Sequence, residues 1–408
     1  MNDIQKISRN TENAPTNTVA SQAVSFSHYT NISAQLPINP KTGKIVSNAI
    51  KDQAQQCLTN IRTIVESIDH VMDDVVKITV YLKDISDMDA VDDVYKTFFK
   101  SELPTRTTVA VVALPLDGAM LQMDVLLSNG EGTSPQKPLD LVKVTRNTEK
   151  APIGLDAQTV AFSHYNNISG QLPIDLKSGK LIDGGVKEQT EQCLNNIAAI
   201  LESIGHVMED VVKTTIFFKN ISDIQTVNEV CANFFPNYVP ARTFVNASAL
   251  PMDALVLIDT VVSHGDGTPP QLPEDTRFLK IEANSTQEAP KVPYAQTVAY
   301  SHYNHISGQL PLDPETNSLV TGGAKEQTLQ CLNNIMAILE SIDHKMDDVV
   351  KMNIQLRNIE HLDVVNEVYT SFFHNDLPAR TVIAVLNIPS DALVQIDAVV
   401  SNSEGTPA

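Results

Sequence analysis

The chain has 408 residues, a net charge of -20 and a hydrophobic content of 42%. This length exceeds what one hydrophobic core usually supports, so we expect two or three domains. The negative charge would repel a phosphate backbone and no basic run offsets it, so we expect no nucleic-acid partner. No apolar run reaches the ~18 residues of a membrane span, and the N-terminus lacks a signal-peptide pattern. These features predict a cytoplasmic protein with no membrane partner.

One sequence unit occurs three times. Arg106, Arg242 and Arg380 are 136 and 138 residues apart, and three cysteines and three histidines share this spacing. A period of this length is that of a whole domain in tandem rather than of a solenoid repeat. The sequence therefore predicts three copies of one domain, which we place at residues 1–132, 136–268 and 272–408.

The periodicity of hydrophobic residues predicts the elements of a copy, most clearly in copy three. Short apolar or alternating segments predict strands, and apolar residues three and four apart predict helices. The predicted elements are an edge strand near Phe278 to Ile281, strands at Thr297 to Tyr300 and Ile306 to Pro311, a helix through Leu329 to Ile342, a strand at Val350 to Leu356, a helix through Leu362 to Phe372, and strands at Thr381 to Ile388 and Val394 to Ser401. The order βββαβαββ predicts an α+β fold, with a mixed six-stranded sheet and two helices on one face.

The other face of each predicted sheet has no covering element within its own copy. A contact from each copy to the next that closes at three would bury all three of these faces. Linkage in one chain keeps the copies at an effective concentration on the order of millimolar, so assembly needs no second chain. We therefore expect a single-chain pseudo-trimer that is a monomer in solution.

Several motifs of copy three together resemble those of a known family. They are P-Y-A-Q-T-V, I-S-G-Q-L-P, D-D-V-V-K, V-N-E-V-Y and P-A-R-T-V. Their combination resembles the RidA (YjgF/YER057c/UK114) family of reactive-intermediate deaminases, and the likeness spans essentially the whole chain. The resemblance implies a chorismate-mutase-like fold and ligand clefts at the boundaries between protomers. It also implies hydrolysis of 2-aminoacrylate and related enamines or imines to 2-keto acids and ammonia, without a cofactor.

The arginine of P-A-R-T-V is the first candidate site residue. Taken alone, an arginine at the mouth of a strand is most often part of a surface ion pair. The resemblance implies instead that it binds the substrate carboxylate, which the planar guanidinium fork fits well. The corresponding residues are Arg106, Arg242 and Arg380. We therefore expect a small carboxylate-bearing ligand as the partner of each copy.

The glutamate that the family carries on the last strand is replaced in all three copies. The resemblance places it at Gln122, Leu257 and Gln395. In the family this group is thought to handle the attacking water, and a general base must accept a proton. The glutamines can orient water by hydrogen bonding, whereas the leucine cannot. Aspartates follow two residues on, about 7 Å along the strand, at Asp124, Asp259 and Asp397.

Other family positions are retained unevenly. The retained residues that the resemblance assigns to substrate binding are Tyr294, Ser169, Gly170, Ser307, Gly308, Asn228, Asn366 and Thr108. The replacements are Ala20 and Asp156 at the tyrosine, Ala34 at the glycine, Asp92 at the asparagine, and Phe244 and Val382 at the threonine. No copy has a complete set, and the order of the copies around the ring is open. A competent site would therefore combine residues of two copies.

Two further repeated residues are interpreted as structural. The histidines of Ser-His-Tyr, at positions 28, 164 and 302, are assigned to a solvated hairpin turn, because no carboxylate lies at metal-ligand spacing. Cys57, Cys193 and Cys331 lie among apolar positions of a predicted helix, as buried small hydrophobic residues do. We expect no metal site.

Two functions fit these residues. One is an enzyme that deaminates small enamine or imino acids hydrolytically, a hydrolase acting on C=N bonds. The other is a non-catalytic or regulatory module that binds keto or amino acids through the arginine but has lost the catalytic glutamate. The three arginines fit both functions, and the missing glutamates favour the second. The net charge of -20 disfavours a ribonuclease.

Overall fold

The computed structural model describes residues 4–99, 101, 103–136, 141–264, 267–269 and 279–406. It confirms three copies of one fold, each with a mixed six-stranded sheet and two α-helices. Copy one contains β1 (Ile7–Arg9), β2 (Ala23–Phe26), β3 (Tyr29–Gln35), the short β4 (Ile38–Asn39) and β5 (Lys44–Ile45), α1 (Ile50–Glu66), β6 (Val75–Leu82), α2 (Met88–Phe98), β7 (Thr105–Ala110) and β8 (Leu121–Ser128).

Copies two and three repeat this order, except that an isolated bridge, Ile174 with Leu181 or Leu312 with Leu319, stands in place of β4 and β5. Copy two contains β9 (Val144–Arg146), β10 (Thr159–Phe162), β11 (Tyr165–Gln171), α3 (Val186–Ser203), β12 (Val211–Phe218), α4 (Ile224–Phe234), β13 (Ala241–Asn246) and β14 (Val256–Ser263). Copy three contains β15 (Glu282–Asn284), β16 (Thr297–Tyr300), β17 (Tyr303–Gln309), α5 (Ala324–Glu340), β18 (Val349–Leu356), α6 (Leu362–Thr370), β19 (Ala379–Ala384) and β20 (Val394–Ser401).

The sheet topology places each arginine beside a helix. In copy one the strand order is β1-β2-β3-β8-β6-β7, and only the β6–β7 pair is parallel. Parallel neighbours need a crossover, and α2 supplies it. Arg106 is the second residue of β7 and pairs in register with Ile78. Arg106 therefore lies at the N-terminal end of β7, and its guanidinium reaches α2.

The outer face of each sheet and its two helices enclose a separate core. In copy one the buried face of α1 includes Cys57, Leu58, Ile61 and Ile64, which pack with apolar residues of the strands. The other copies have equivalent clusters. All four cysteines are buried thiols, so the buried position expected for three of them is confirmed. Each copy thus stabilises its own helices against its own sheet.

The inner faces of the three sheets pack around a common axis. Tyr29, Tyr165 and Tyr303 lie edge to face with ring centroids 6.0 to 6.1 Å apart. Each hydroxyl donates to a backbone carbonyl of the next copy, at Phe162, Tyr300 and Phe26 respectively. The expected single-chain pseudo-trimer is confirmed. The ring runs from copy one to two, from two to three, and from three back to one.

Backbone hydrogen bonds join the copies at the other end of the axis. The amide of Val112 donates to the carbonyl of Ala384, that of Leu386 to Asn246, and that of Ser248 to Ala110, at 2.9 to 3.0 Å. Each of these bonds links a different pair of copies, and a shared apolar cluster surrounds them. No helix of the described residues is long and apolar enough to cross a membrane.

Two expectations are corrected. Phe278 lies outside the described residues, and the edge strand of copy three begins later, at Glu282–Asn284. The Ser-His-Tyr turns are not solvated: burial lowers the pKa of His28 to about 4 and that of His164 to about 3. The reason is that chain following the last strand folds back over the turn, where the Asn129 amide donates to the His28 carbonyl.

Acid should destabilise the protein partly through His305, which lines a cavity between the inner faces of the three sheets together with Lys77 and Lys213. Both ring nitrogens are buried without a hydrogen bond, and burial lowers the pKa to about 3. The unfolded chain, with a histidine pKa near 6.5, binds the extra proton as pH falls below that value. The free energy of unfolding is therefore lost between about pH 6.5 and 3, at up to ~1.4 kcal/mol per pH unit.

We expect His305→Asn to flatten this part of the stability profile in urea denaturation at pH 7, 6, 5 and 4. Asparagine is the residue at the equivalent positions 31 and 167, which makes the substitution compatible with the fold. His374→Asn, at an exposed histidine, is the control and should leave the slope unchanged. Equal slopes for the wild type and His305→Asn would contradict the assignment.

Candidate functional site

Each predicted arginine lies at a boundary between two copies. Its backbone amide donates to a serine hydroxyl of the next copy at 2.8 to 2.9 Å. The pairs are Arg106 with Ser169, Arg242 with Ser307, and Arg380 with Ser33. These pairs define three clefts, which we name one-two, two-three and three-one after the copies that form them.

A helix of the same copy fixes one end of each guanidinium. Nη1 donates to a side-chain oxygen of the residue 14 positions earlier, at 2.6 to 2.7 Å. These acceptors are Asp92 on α2, Asn228 on α4 and Asn366 on α6. In two clefts the guanidinium also stacks on a tyrosine ring, Tyr95 at 4.8 Å and Tyr369 at 4.9 Å. The arginines are therefore held rigidly before any ligand arrives.

Cleft two-three leaves half of its guanidinium unpaired. Arg242 is 2% exposed, and its Nε and Nη2 are buried without a hydrogen bond. No carboxylate of the described residues contacts it, and its neighbours are the rings of Phe244 at 5.9 Å and Tyr294 at 5.6 Å. Buried donors normally have partners, so this pair points to an absent acceptor. A carboxylate fits such a fork with two hydrogen bonds.

Copy three supplies the remaining walls of cleft two-three. Gln395 Nε2 donates to the Phe244 carbonyl at 2.9 Å, across the boundary. Its amide lies over Gly308, where a Cβ would approach Nε2 to 3.0 Å, so glycine makes room for the glutamine. Burial raises the pKa of Tyr294 to about 12 although Arg242 opposes it, so the phenol stays protonated. This cleft thus unites Arg242, Asn228, Tyr294, Ser307, Gly308 and Gln395.

Cleft three-one also lacks an acid. Arg380 bonds to Asn366 and, among the described residues, forms no ion pair. Burial lowers the pKa of Arg380, and only Tyr369 opposes the shift. Gln122 Nε2 donates to the Val382 carbonyl at 2.7 Å, as Gln395 does in its own cleft. The cleft brings together the predicted Arg380, Asn366 and Gln122.

Cleft one-two differs because Arg106 is already paired with two carboxylates. Nη1 bonds to Asp92 at 2.6 Å, and Nε lies 2.9 Å from Asp156 of copy two. Burial alone would lower the pKa of Arg106, but Asp156 and Asp92 outweigh it and raise the pKa. Asp156 occupies the sequence position that Tyr294 holds in copy three. The group of three side chains therefore has a formal net charge of -1, from two carboxylates and one guanidinium.

The predicted Thr108, Ser169 and Gly170 line this same cleft, with Leu257 in the place of the glutamines. A Cβ at Gly170 would come within 2.7 Å of Leu257 Cδ2, so here the glycine accommodates an apolar side chain. Sequence reasoning did not find the joint contact of Asp92 and Asp156 with Arg106, because predicting it requires knowing which copy follows which around the ring. The sequence signal for this contact is that both aspartates stand at positions where the family motif has another residue.

The aspartates that follow the glutamate position do not face the clefts. They pair with lysines across the boundaries, and the pairs are Lys77 with Asp259 at 3.1 Å, Lys213 with Asp397 at 2.6 Å, and Lys351 with Asp124 at 3.2 Å. These pairs line an axial cavity of about 180 Å³. The aspartates therefore join neighbouring copies and do not contact the cleft arginines.

Removing the guanidinium should affect the two kinds of cleft differently. Arg106→Met leaves Asp92 and Asp156 buried without a counter-charge, which we expect to cost about 3 to 5 kcal/mol of unfolding free energy. Arg380→Met removes one hydrogen bond to a neutral side chain, at a cost of about 1 kcal/mol. Urea denaturation at pH 7 measures both losses.

The deficit of Arg106→Met should also shrink as pH falls toward 4, because uncompensated buried carboxylates take up protons at higher pH than paired ones. Arg380→Met should show no such recovery. Equal losses for the two variants, or a deficit of Arg106→Met that is independent of pH, would contradict the pairing seen in cleft one-two.

The fold and these clefts define a class of protein: a trimer of α+β domains, here in one chain, with arginine-containing clefts at the domain boundaries. A family model described as Endoribonuclease L-PSP matches residues 11–126, 149–264 and 285–402. The chain belongs to this family, the RidA/YjgF family, and contains three of its domains. The resemblance drawn from the motifs is thereby confirmed.

Single copies match shorter relatives along nearly their whole length. A RutC family protein of Pyrococcus horikoshii is 42% identical over 29% of this chain and 92% of its own length. The human protein named 2-iminobutanoate/2-iminopropanoate deaminase is 38% identical over 31% of this chain and 93% of its own. The solved structure of YyfA from Yersinia pestis, of the Rid family, is 38% identical, covers 30% of this chain and 99% of its own, and has a TM-score of 0.29.

Proposed function

We propose that the chain is a hydrolytic deaminase of small 2-imino acids and their enamine tautomers, acting in clefts two-three and three-one. The observation that carries the proposal is the unpaired Nε and Nη2 of the buried Arg242. Relatives named 2-iminobutanoate/2-iminopropanoate deaminase, from human and Dermatophagoides farinae, support the same substrate class. The products are a 2-keto acid and ammonium.

Binding begins at the arginine. The substrate carboxylate accepts from Nε and Nη2 of Arg242, while Asn228 holds Nη1. Both hydrogen bonds are charge-assisted and form at a guanidinium that is 2% exposed, where such bonds are strong. The Phe244 and Tyr294 rings border the guanidinium and favour an aliphatic side chain on the substrate. We expect Arg380 to act likewise in cleft three-one.

Hydrolysis then needs a positioned water. Water adds to the carbon of the protonated C=N bond, the resulting carbinolamine loses ammonia, and a proton moves from oxygen to nitrogen. The balance is one iminium carboxylate plus one water to one 2-keto carboxylate plus one ammonium ion. Because Gln395 Nε2 is engaged by Phe244, its Oε1 is the atom that accepts a hydrogen bond from this water. The electrophilic iminium carbon lowers the need for a strong base.

Cleft one-two is left out of the proposed activity. Asp92 and Asp156 already neutralise Arg106, and a substrate carboxylate would bring a third negative charge to one guanidinium. Buried carboxylates that share one guanidinium repel one another strongly. The family name refers to an endoribonuclease, but a chain with a net charge of -20 is poorly suited to bind RNA.

A second function, binding without turnover, is favoured by one observation. In clefts two-three and three-one no carboxylate of the described residues contacts the arginine, and the glutamate position holds Gln395 or Gln122. A module of this kind would hold a keto or amino acid through the arginine and release it unchanged. The distinction between the two functions is kinetic, since both depend on the same guanidinium groups.

The arginine proposal predicts the behaviour of the wild type and two variants. When 2-aminoacrylate or 2-iminobutanoate is generated in situ, the wild type should accelerate keto-acid release. The double variant Arg242→Met/Arg380→Met should lose at least about 100-fold of that acceleration, since two charge-assisted hydrogen bonds per site disappear. Arg357→Met, at a surface arginine whose closest carboxylate lies 3.5 Å away, is the matched control and should match the wild type.

The same proteins separate the two functions. Calorimetric titration with 2-ketobutyrate should show two sites per chain, and both should be lost in the double variant. Binding without any acceleration of hydrolysis would establish the binding module and refute the enzyme. Acceleration that survives in the double variant would refute the role of both arginines.

Gln395 gives a further prediction about catalysis. Gln395→Leu reproduces the residue at position 257 and removes the acceptor for the attacking water. In a background that contains Arg380→Met, so that only cleft two-three operates, we expect kcat to fall about tenfold or more while KM changes little. A fall in affinity for 2-ketobutyrate with kcat unchanged would show that Gln395 binds substrate rather than orienting water.

A further inference from the structure

Cleft one-two contains a cavity of about 250 Å³. Asp156 is shorter than a tyrosine, and Leu257 replaces the glutamine of the other copies, so the cavity wall is largely apolar on one side. The apolar residues that line it include Leu155, Leu172, Ile174 and Leu257. The charged group of Arg106, Asp92 and Asp156 also lines it. The cavity thus combines an aliphatic compartment with a polar end.

Polar atoms at this end lack partners. Thr108 is 7% exposed, lines the cavity, and its hydroxyl is buried without a hydrogen bond. Oδ2 of Asp156 contacts Arg106. The Tyr95 hydroxyl is the neighbouring donor for this carboxylate, but the buried Oδ1 makes no hydrogen bond of normal geometry. Burial raises the pKa of Asp156 even though Arg106 opposes the shift, so one guanidinium does not fully compensate the two acids. An occupant that donates hydrogen bonds would satisfy both Asp156 Oδ1 and Thr108 Oγ1.

We propose that cleft one-two binds a small aliphatic ammonium ion, a ligand opposite in charge to the carboxylates proposed for the other two clefts. An ammonium group has three N–H donors and no acceptor, which suits Asp156 Oδ1 and Thr108 Oγ1. Its positive charge brings the net charge of Arg106, Asp92 and Asp156 from -1 to zero. The aliphatic body fills the compartment beside Leu172 and Leu257.

A carboxylate is a poor occupant of the same cavity. Nη1 and Nε of Arg106 are engaged by Asp92 and Asp156, so the side-on pair of donors that is open on Arg242 is closed here. A bound carboxylate would raise the buried negative charge to -2. A zwitterion adds no net charge but brings its carboxylate close to both aspartates. The order of affinity is therefore ammonium, then zwitterion, then anion.

Three probes with the same isobutyl body test this order in the full chain. They are 3-methylbutylammonium, leucine and 4-methyl-2-oxopentanoate, titrated calorimetrically and by ligand-detected NMR at pH 7.5. The amine should bind at one site per chain and leucine more weakly, and the keto acid should not displace the amine. Tighter binding of leucine than of the amine, or displacement of the amine by the keto acid, would overturn the proposal.

Variants locate the binding. Asp156→Asn, which keeps the shape and removes the charge, should weaken amine binding about tenfold or more, since a charge-assisted hydrogen bond is lost. Thr108→Val should weaken it several-fold. Asp343→Asn, at an exposed aspartate of copy three, is the control and should bind the amine as the wild type does. Thermal unfolding checks that each variant is folded.

The amine experiment is independent of the proposed deaminase activity. Arg242→Met/Arg380→Met should bind the amine normally, because neither arginine lies in cleft one-two. Failure of the keto-acid assay therefore leaves this proposal standing, and the reverse also holds. Absence of amine binding to the wild type, or binding that Asp156→Asn does not weaken, would refute the assignment.

Discussion

The structure depends on one constraint: each sheet has an inner face that its own copy cannot cover. Two helices bury the outer face, and the inner face is left to the neighbouring copies. The contact is heterologous, so it must close after a fixed number of copies to bury every face. It closes at three, which produces the tyrosine ring, the three lysine–aspartate pairs and the three clefts. The clefts are thus a consequence of how the apolar faces are buried.

Because the three copies are linked in one chain, they can differ in sequence, and the three clefts need not be identical. In a homotrimer one substitution changes all three clefts equally, whereas here each cleft can change alone. The result is three different electrostatic environments around one repeated guanidinium: Arg106 with two acids, Arg242 between two rings, and Arg380 over one ring with no acid among the described residues. Because Asp92 and Asp156 come from different copies, changing the cleft required substitutions on both sides of one boundary.

The sequence predicted the fold well where hydrophobic alternation is bounded by turns. The strands Thr297–Tyr300 and Val394–Ser401 have the predicted bounds, since turn residues flank them. Ala379–Ala384 ends earlier than predicted, because apolar residues continue after it into a loop that bonds to the neighbouring copies. Hydrophobic periodicity predicts the buried face of a helix or a strand, but it does not predict which loop residues are buried. The buried Ser-His-Tyr turns were misjudged for the same reason.

The sequence predicts candidate site residues one by one, but it does not predict which residues of two copies share a cleft. Motif positions select the three arginines and the residues at the glutamate position as candidates, and these are properties of single copies. The ring order is a property of packing, and no local pattern encodes which copy follows which. The contact between Arg106 and Asp156 depends on that order alone. The carboxylate of Asp156, in copy two, therefore changes the electrostatic environment of Arg106, in copy one.

The glutamines at the glutamate position have a structural reason to remain glutamine. Gln395 and Gln122 each donate from Nε2 to a backbone carbonyl of the preceding copy, at Phe244 and Val382. A glutamate has no donor when ionised, and its oxygen would face that carbonyl oxygen in a buried place, at a cost of about 1 to 3 kcal/mol for the unsatisfied groups. The amide thus joins two copies and leaves one oxygen as an acceptor. The proposed activity therefore depends on an arginine that, among the described residues, no acid neutralises, and on an amide oxygen rather than a carboxylate beside it.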